Sequence, residues 1–169
     1  MAQKPKQPLQ QTAIGYIPPH YVEKSQSVHS NFCRFLSALL DSYYCSKAKE
    51  VLKRLMEDYR LGATRDGAVI FWQIDRENKV RTGKVMQYNP GDGHRVKDGQ
   101  TSAVNWIHSI LKRQRVLAEG WQLSQCLFGE HLLSVYPDKV AVLVESEKSA
   151  VIGSALFPGY VWLLSLIHI

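Results

Sequence analysis

The sequence predicts an α+β fold: N-terminal helices, a central β-hairpin or meander, and then the opening of an α/β unit. Three observations predict it. Apolar residues recur at helical spacing between Val28 and Tyr59. From Thr64 to Tyr88 the pattern changes to short apolar runs and period-two alternation. Further on, Val140-Ala141-Val142-Leu143-Val144 runs straight into Glu145 and a segment that can start a helix. Elements segregated along the chain in this way favour α+β.

Residues 1–27 hold Pro5, Pro8, Pro18 and Pro19 among many glutamines, which reads as an extended linker. Tyr16, Ile17 and Tyr21 are the side chains able to dock it. In the helical region Phe32, Phe35, Leu36, Leu39 and Leu40 form one stripe, and Val51, Leu52, Leu55, Met56 and Tyr59 a second. Asp41-Ser42 is the expected break between them, and Leu61-Gly62 the expected stop. Lys47, Lys49, Lys53 and Arg54 fill the polar face of the second helix, either merely solvated or a binding surface.

Ala68 to Ile74 is an apolar strand, followed by the turn Asp75-Arg76-Glu77-Asn78. Val80, Thr82, Lys84, Met86 and Tyr88 then alternate as its hairpin partner. Asn89-Pro90-Gly91-Asp92-Gly93 is a strong turn. Ala103 to Lys112 is expected as a short helix, with the basic cluster Lys112-Arg113-Gln114-Arg115 beside it. Leu127 to Leu133 is expected as another. Val140 to Val144 is apolar without interruption, the mark of a strand buried on both faces. Ser146 suits the cap of the next helix. Glu145 then sits at the carboxyl end of a core strand, where open α/β sheets bind ligands and metals.

The formal net charge is +6 and the pI about 9.3. That balance fits a polyanionic partner such as nucleic acid, and equally a solvated basic surface. Cys33, Cys45 and Cys126 are far apart and form no C-x-x-C pair, so no zinc site is expected and reduced thiols are. The first residues lack an apolar signal core. The apolar stretch Ala155 to Ile169 is broken by Pro158-Gly159 and falls short of the ~20 residues that span a bilayer. No membrane partner and a cytoplasmic location are therefore expected. Leu-Ser-Leu-Ile-His-Ile at 164–169 is what a sequencing-adapter end encodes, so the natural reading is expected to stop near Leu163 and the chain to be a fragment, the alternative being a genuine apolar tail.

Four segments, in order, resemble the core of bacterial and phage primases. Tyr59-Arg60-Leu61-Gly62-Ala63 is similar to the family's "F-x-L-G" element. Val69-Ile70-Phe71-Trp72-Gln73-Ile74-Asp75 with Gly83 resembles its "I-F-P-I-x-D…G" hairpin. Cys126-Leu127-Phe128-Gly129 resembles its "L-Y-G" step. Val142-Leu143-Val144-Glu145-Ser146-Glu147-Lys148-Ser149 resembles the opening of a Toprim domain, usually "V-E-G-x-x-D". The match spans roughly residues 47–163 and lies nearest a primase-like family of unknown function on mobile elements of Bacteroidetes. It divides the chain into a linker (1–27), a primase-like α+β region (28–137), the start of a Toprim-like domain (138–163) and the adapter-like end (164–169).

The resemblance implies metal-dependent nucleotidyl transfer in DNA replication or mobile-element maintenance. It places Glu145 in the role of catalytic base or ligand to Mg²⁺ or Mn²⁺. The remaining acids, a later Asp-x-Asp, are not in the chain, so the fragment itself is expected to be inactive. Ser146 stands where the motif has Gly, and Ser149 where it has Asp. Glu147-Lys148 fits an "E-G-E-K-D" variant or an exposed helix pair.

Two basic groups are candidate nucleic-acid contacts. Arg95 and Lys97 follow the Gly91-x-Gly93 turn, which admits a phosphate or is a plain hairpin. Lys112, Arg113 and Arg115 interleave with Trp106 and His108, as single-strand binders do, or flank a core tryptophan. Lys148 joins them at the Toprim-like motif. The expected partners are single-stranded DNA or another nucleic acid, and nucleotides. The alternative is a non-catalytic DNA-binding or partner-binding protein of a mobile element.

Overall fold

The computed structural model describes residues 14–99, 101–102 and 104–164. Helices α1 (His20–Ser25), α2 (Asn31–Tyr44) and α3 (Ala48–Tyr59) come first. Strands β1 (Gly62–Ala63), β2 (Val69–Ile74), β3 (Val80–Met86) and β6 (Val104–Trp106) form an antiparallel sheet in the order β1-β2-β3-β6. Strands β4 (Lys97–Asp98) and β5 (Thr101–Ser102) pair with each other. Helices α4 (Ile107–Arg113) and α5 (Leu132–Val135) follow. The chain then forms β7 (Ala141–Val144), α6 (Glu147–Leu156) and β8 (Val161–Leu164), with β7 and β8 parallel. The mixed α+β architecture expected from the sequence is the one adopted, and the last three elements are an α/β unit.

β2 organises the molecule because it is buried on both faces. Val69 and Phe71 face a core shared with Phe32, Leu36, Leu55 and Phe128. Ile70, Trp72 and Ile74 face a second core with Ile17, Ile107, Leu111 and Trp121. Aromatic rings dominate the first: Phe71 meets Phe32 edge-on at 5.4 Å, and Tyr59 stacks on Phe128 at 5.1 Å. Each such buried ring contributes roughly 1.5–3 kcal/mol by burial, plus about 1 kcal/mol of ring–ring attraction. Ala150, Val151 and Leu163 belong to that first core too. Residues beyond 137 therefore pack into the same interior as residues 28–137.

The α/β unit is also pinned by polar bonds to the helices. Tyr59 donates its hydroxyl to the Trp162 carbonyl at 2.9 Å, Arg54 Nη2 donates to Ser154 O at 3.0 Å, and Tyr44 to Ala155 O at 2.7 Å. Gly153 lets α6 lie against Trp162, since a Cβ there would stand 2.5 Å from the indole.

Several expectations need correction. The strand buried on both faces is β2, not β7: β7 packs one side inward while Val140 and Leu143 are 66% and 60% exposed. Its apolar run is also satisfied by a half-covered strand. Helix α2 does not break at Asp41-Ser42. Ser42 turns its hydroxyl back onto Leu39 O at 2.7 Å and stays helical. The break comes at Cys45, whose φ is +46°. Arg60, in the left-handed region, ends α3 one residue before the expected stop. Residues 104–106 are strand rather than helix, because the free edge of β3 pairs with them. Helix is confined to Leu132–Val135 in the 127–135 region, where Gly129 at φ +85° breaks the run.

The lead-in is not all linker. Ile17 pairs with Val80 and is buried, and α1 packs behind it. Residues 1–13 and 165–169 lie outside the described residues, and with them most of the adapter-like end. Leu164 is the last residue of β8. All three cysteines are free thiols. Among the described residues no helix is long and apolar enough to cross a membrane.

Candidate functional site

The carboxyl end of β7 and the amino end of α6 meet a basic turn from the hairpin region. Ser146 leaves β7 in an extended conformation and caps α6, accepting from Ser149 N at 3.0 Å. Ser149, where the resembled motif has Asp, adds a hydroxyl contact to Ser146 at 2.8 Å. Glu145 lies one residue beyond β7, exposed, with the parallel pair beneath it.

Glu147 is not the exposed helix residue that the sequence allowed. It is 1% exposed, and its Oε1 lies 2.9 Å from Lys84 Nζ. The contact is an ion pair without hydrogen-bond alignment, since Oε1 has no hydrogen-bond partner. Its place in the first turn of α6 suits a carboxylate, because backbone N–H groups there carry partial positive charge. Lys84 reaches it from the centre of β3, opposite Phe71.

Next to this pair lies the turn 89–95. Asn89 and Asp92 fold it by accepting from Gly91 N and His94 N, both at 2.8 Å. The Asp92 carboxyl sits below the usual carboxylate range, chiefly through the His94 N–H. Gly93, at φ +66° and hard against the Phe35 ring, offers its carbonyl to Lys148 Nζ at 2.9 Å. Arg95 pairs through its backbone with Tyr88. Burial pushes the Tyr88 phenol up to about 12; the Glu147 charge adds to this and Arg95 opposes it.

The fold thus brings Lys148 onto the turn that leads to Arg95, with Glu145 at the end of β7 three residues before Lys148; the sequence singled these out separately. The fold adds Lys84 and Glu147. Lys84 had a signal: it stands two residues before the buried Met86 in an alternating strand, where a cation needs a buried partner. Lys97 stands on β4, exposed and two residues past Arg95. The other basic group is elsewhere. Lys112 and Arg113 end α4 and Arg115 follows it; the helix packs Ile107 and Leu111 on the opposite face of the sheet. There Lys112 Nζ lies 5.1 Å from the Trp121 ring centroid. His108 stacks on Trp121 at 5.8 Å, and burial pushes its imidazole below its usual value. His108 is therefore a packing partner of Trp121, and Trp106, half-buried, meets His108 at 5.8 Å.

Mg²⁺ takes several hard oxygen ligands. The described residues supply Glu145 here and, in the adjoining turn, Asp92, which is engaged by His94, while Glu147 is held by Lys84. No group of three or more His, Cys, Asp or Glu is placed to hold a metal among the described residues. They do not by themselves fit the divalent cation that the resemblance implies.

The model for the family described as "Domain of unknown function (DUF6371)" matches residues 30–166. The chain belongs to this family. The DUF6371 match opens at Ser30, the cap of α2, and contains the whole site around Glu145. It leaves out α1. No curated protein and no solved structure matches the chain.

Proposed function

We propose that this DUF6371 chain is a primase-like nucleic-acid protein that lays a single strand along the carboxyl end of β7. The activity in this reading is nucleotidyl transfer in replication or mobile-element maintenance. One observation carries it: Glu145 at a strand end and the capped start of α6 stand beside Lys84, Arg95 and Lys148. Lys84 and Glu147 cancel, and Arg95 and Lys148 offset Glu145 and Asp92, so the attraction for an anion comes from the backbone N–H groups at the helix start and from Lys97 beyond the turn. Such a surface attracts phosphates, and affinity should fall with salt as counterions are released.

A second reading is supported by the Glu147–Lys84 pair and by Ser149. With Glu147 engaged and a hydroxyl at position 149, the site binds a strand without chemistry. On either reading the chain binds single-stranded DNA.

Fluorescence anisotropy with a labelled oligodeoxynucleotide at low salt tests the binding, and the Glu145→Gln variant tests the readings. Saturable, salt-sensitive binding is expected, slightly tighter in Glu145→Gln without divalent metal because a repulsive charge is gone. Mg²⁺ that strengthens wild-type binding and not the variant favours the enzyme reading. Equal insensitivity of both favours the binder. Absence of binding at low salt defeats both.

A further inference from the structure

On the opposite face of the sheet from Glu145, a cavity of about 310 Å³ opens between α1, the start of β2 and α4. That volume is at the small end of ligand sites, which run roughly 300–1,000 Å³. Its floor is Ile70 and Trp72, and its wall is Ile107, Ile110 and Leu111. The floor is rigid, because the Trp72 indole donates to Ser25 Oγ at 3.0 Å and Ser25 donates on to Val22 O at 2.9 Å. Tyr21 also lines it.

The rim carries the chemical information. Lys24 and Arg65 both line the cavity, both are exposed, and no carboxylate lines it. Neither cation is ion-paired among the described residues. Ser25 and Thr64 spend their hydroxyls on the protein, Thr64 on Ala68. The Tyr21 hydroxyl and the Gln114 amide have no side-chain hydrogen bond among the described residues, so they are open to a ligand. A hydrocarbon tail would leave those polar groups unmet, which costs affinity. A flat ring with polar edges and one anionic end satisfies apolar walls, amide, phenol and paired cations together.

We propose that this cavity binds a nucleoside monophosphate unit, with the ring against the Ile107 and Ile110 wall and the phosphate at Lys24 and Arg65. The unit is either a free nucleotide or the 5′-phosphorylated end of a strand. The inference rests on the cavity and not on the primase-like reading, since it uses neither Glu145 nor a metal.

Calorimetric titration of the full chain with AMP, and with adenosine as the uncharged control, tests it. AMP is expected to bind saturably and adenosine at least about tenfold more weakly, as for loss of charge-assisted bonds. Lys24→Ala with Arg65→Ala, both at exposed positions, should weaken AMP by about tenfold and leave adenosine unchanged. Ile110→Trp, which fills the cavity, should weaken both ligands, with folding confirmed by circular dichroism. Displacement of AMP by a 5′-phosphorylated oligonucleotide, and not by its unphosphorylated form, identifies the strand end as the source. Absence of displacement identifies the free nucleotide. Arg95→Ala with Lys148→Ala should leave AMP binding intact, which separates this site from the one at Glu145. No saturable AMP binding, equal affinity for adenosine, or an unaffected double variant overturns the proposal.

Discussion

Lys84 Nζ stands 2.9 Å from Glu147 Oε1, fastening the middle of β3 to the first turn of α6. A carboxylate this deeply buried is tolerated because it is paired. Removing either partner strands the other. Glu147 is the more buried of the two, with 2% side-chain exposure against 17% for Lys84. Lys84→Met should therefore cost more than Glu147→Gln, with about 3 kcal/mol for the latter in urea unfolding. Lys84→Met combined with Glu147→Leu should recover much of the loss. Equal stability of wild type and Lys84→Met would show that the pair is not formed in solution.

Gln73 presents a different case. It lies in β2 opposite Thr82, 1% exposed, and neither atom of its amide has a partner. A buried amide without bonds is a standing cost. Gln73→Met keeps the length and drops the polar atoms, so it should stabilise the fold by about 1 kcal/mol. The shift in the urea midpoint measures this. A loss instead would reveal a hydrogen-bond partner for the amide.

His131 makes stability depend on pH. Its Nε2 donates to Asp58 O at 2.8 Å, and Nδ1 is buried without a partner. Burial lowers the imidazole below 6.5, and the Asp58 carbonyl opposes this less strongly. The unfolded chain takes up a proton near 6.5 that the folded chain refuses. The stabilisation is thus complete above that pH and is lost as the pH falls through it. His108 is shifted in the same direction, again mainly by burial. Unfolding free energy measured across that range should fall towards acid, with a shallower slope in His131→Gln. An unchanged slope in the variant would remove His131 as the cause.

How far the sequence could be read follows from which signals were local. Periodicity located α2, α3, β2 and β3, because each covers enough residues to show its repeat. Glu145, Arg95 and Lys148 could be singled out as candidates, each beside a turn or cap. Residues 104–106 misled because their strand state comes from the waiting edge of β3, not from their own composition. β7 misled because an all-apolar run looks the same whether one face or both are covered. The Glu147–Lys84 pair joins positions far apart in the chain, so no spacing rule reaches it. Lys112, Arg113 and Arg115 were singled out as a second basic group through their interleaving with Trp106 and His108, and the sheet separates them from Arg95.

Gly153 tests how α6 is held over β8. A methyl group there would stand 2.5 Å from the Trp162 indole, closer than any real contact. The helix would have to lift, loosening Ala150 and Val151 from the first core. Gly153→Ala should therefore destabilise the protein by about 1–3 kcal/mol, although alanine is the better helix former. A stabilised variant in thermal unfolding would mean that Trp162 moves freely, and that α6 is not clamped as described.

The two basic groups can be told apart by salt. For a single strand the logarithm of affinity falls with the logarithm of salt by about 0.7 for each phosphate neutralised. If Arg95 and Lys148 each meet one phosphate, replacing both with alanine should weaken binding to single-stranded DNA and reduce the slope by about 1.4. Arg113→Ala with Arg115→Ala, on the far side of the sheet, should leave that slope unchanged within error. Lys148 also holds the Gly93 carbonyl, so its loss must be checked for stability first. Arg95→Ala alone, at an exposed position, should then reduce the slope by about 0.7 with no change in melting temperature. A slope that follows Arg113 and Arg115 instead moves the nucleic-acid surface to α4 and removes the assignment at Glu145.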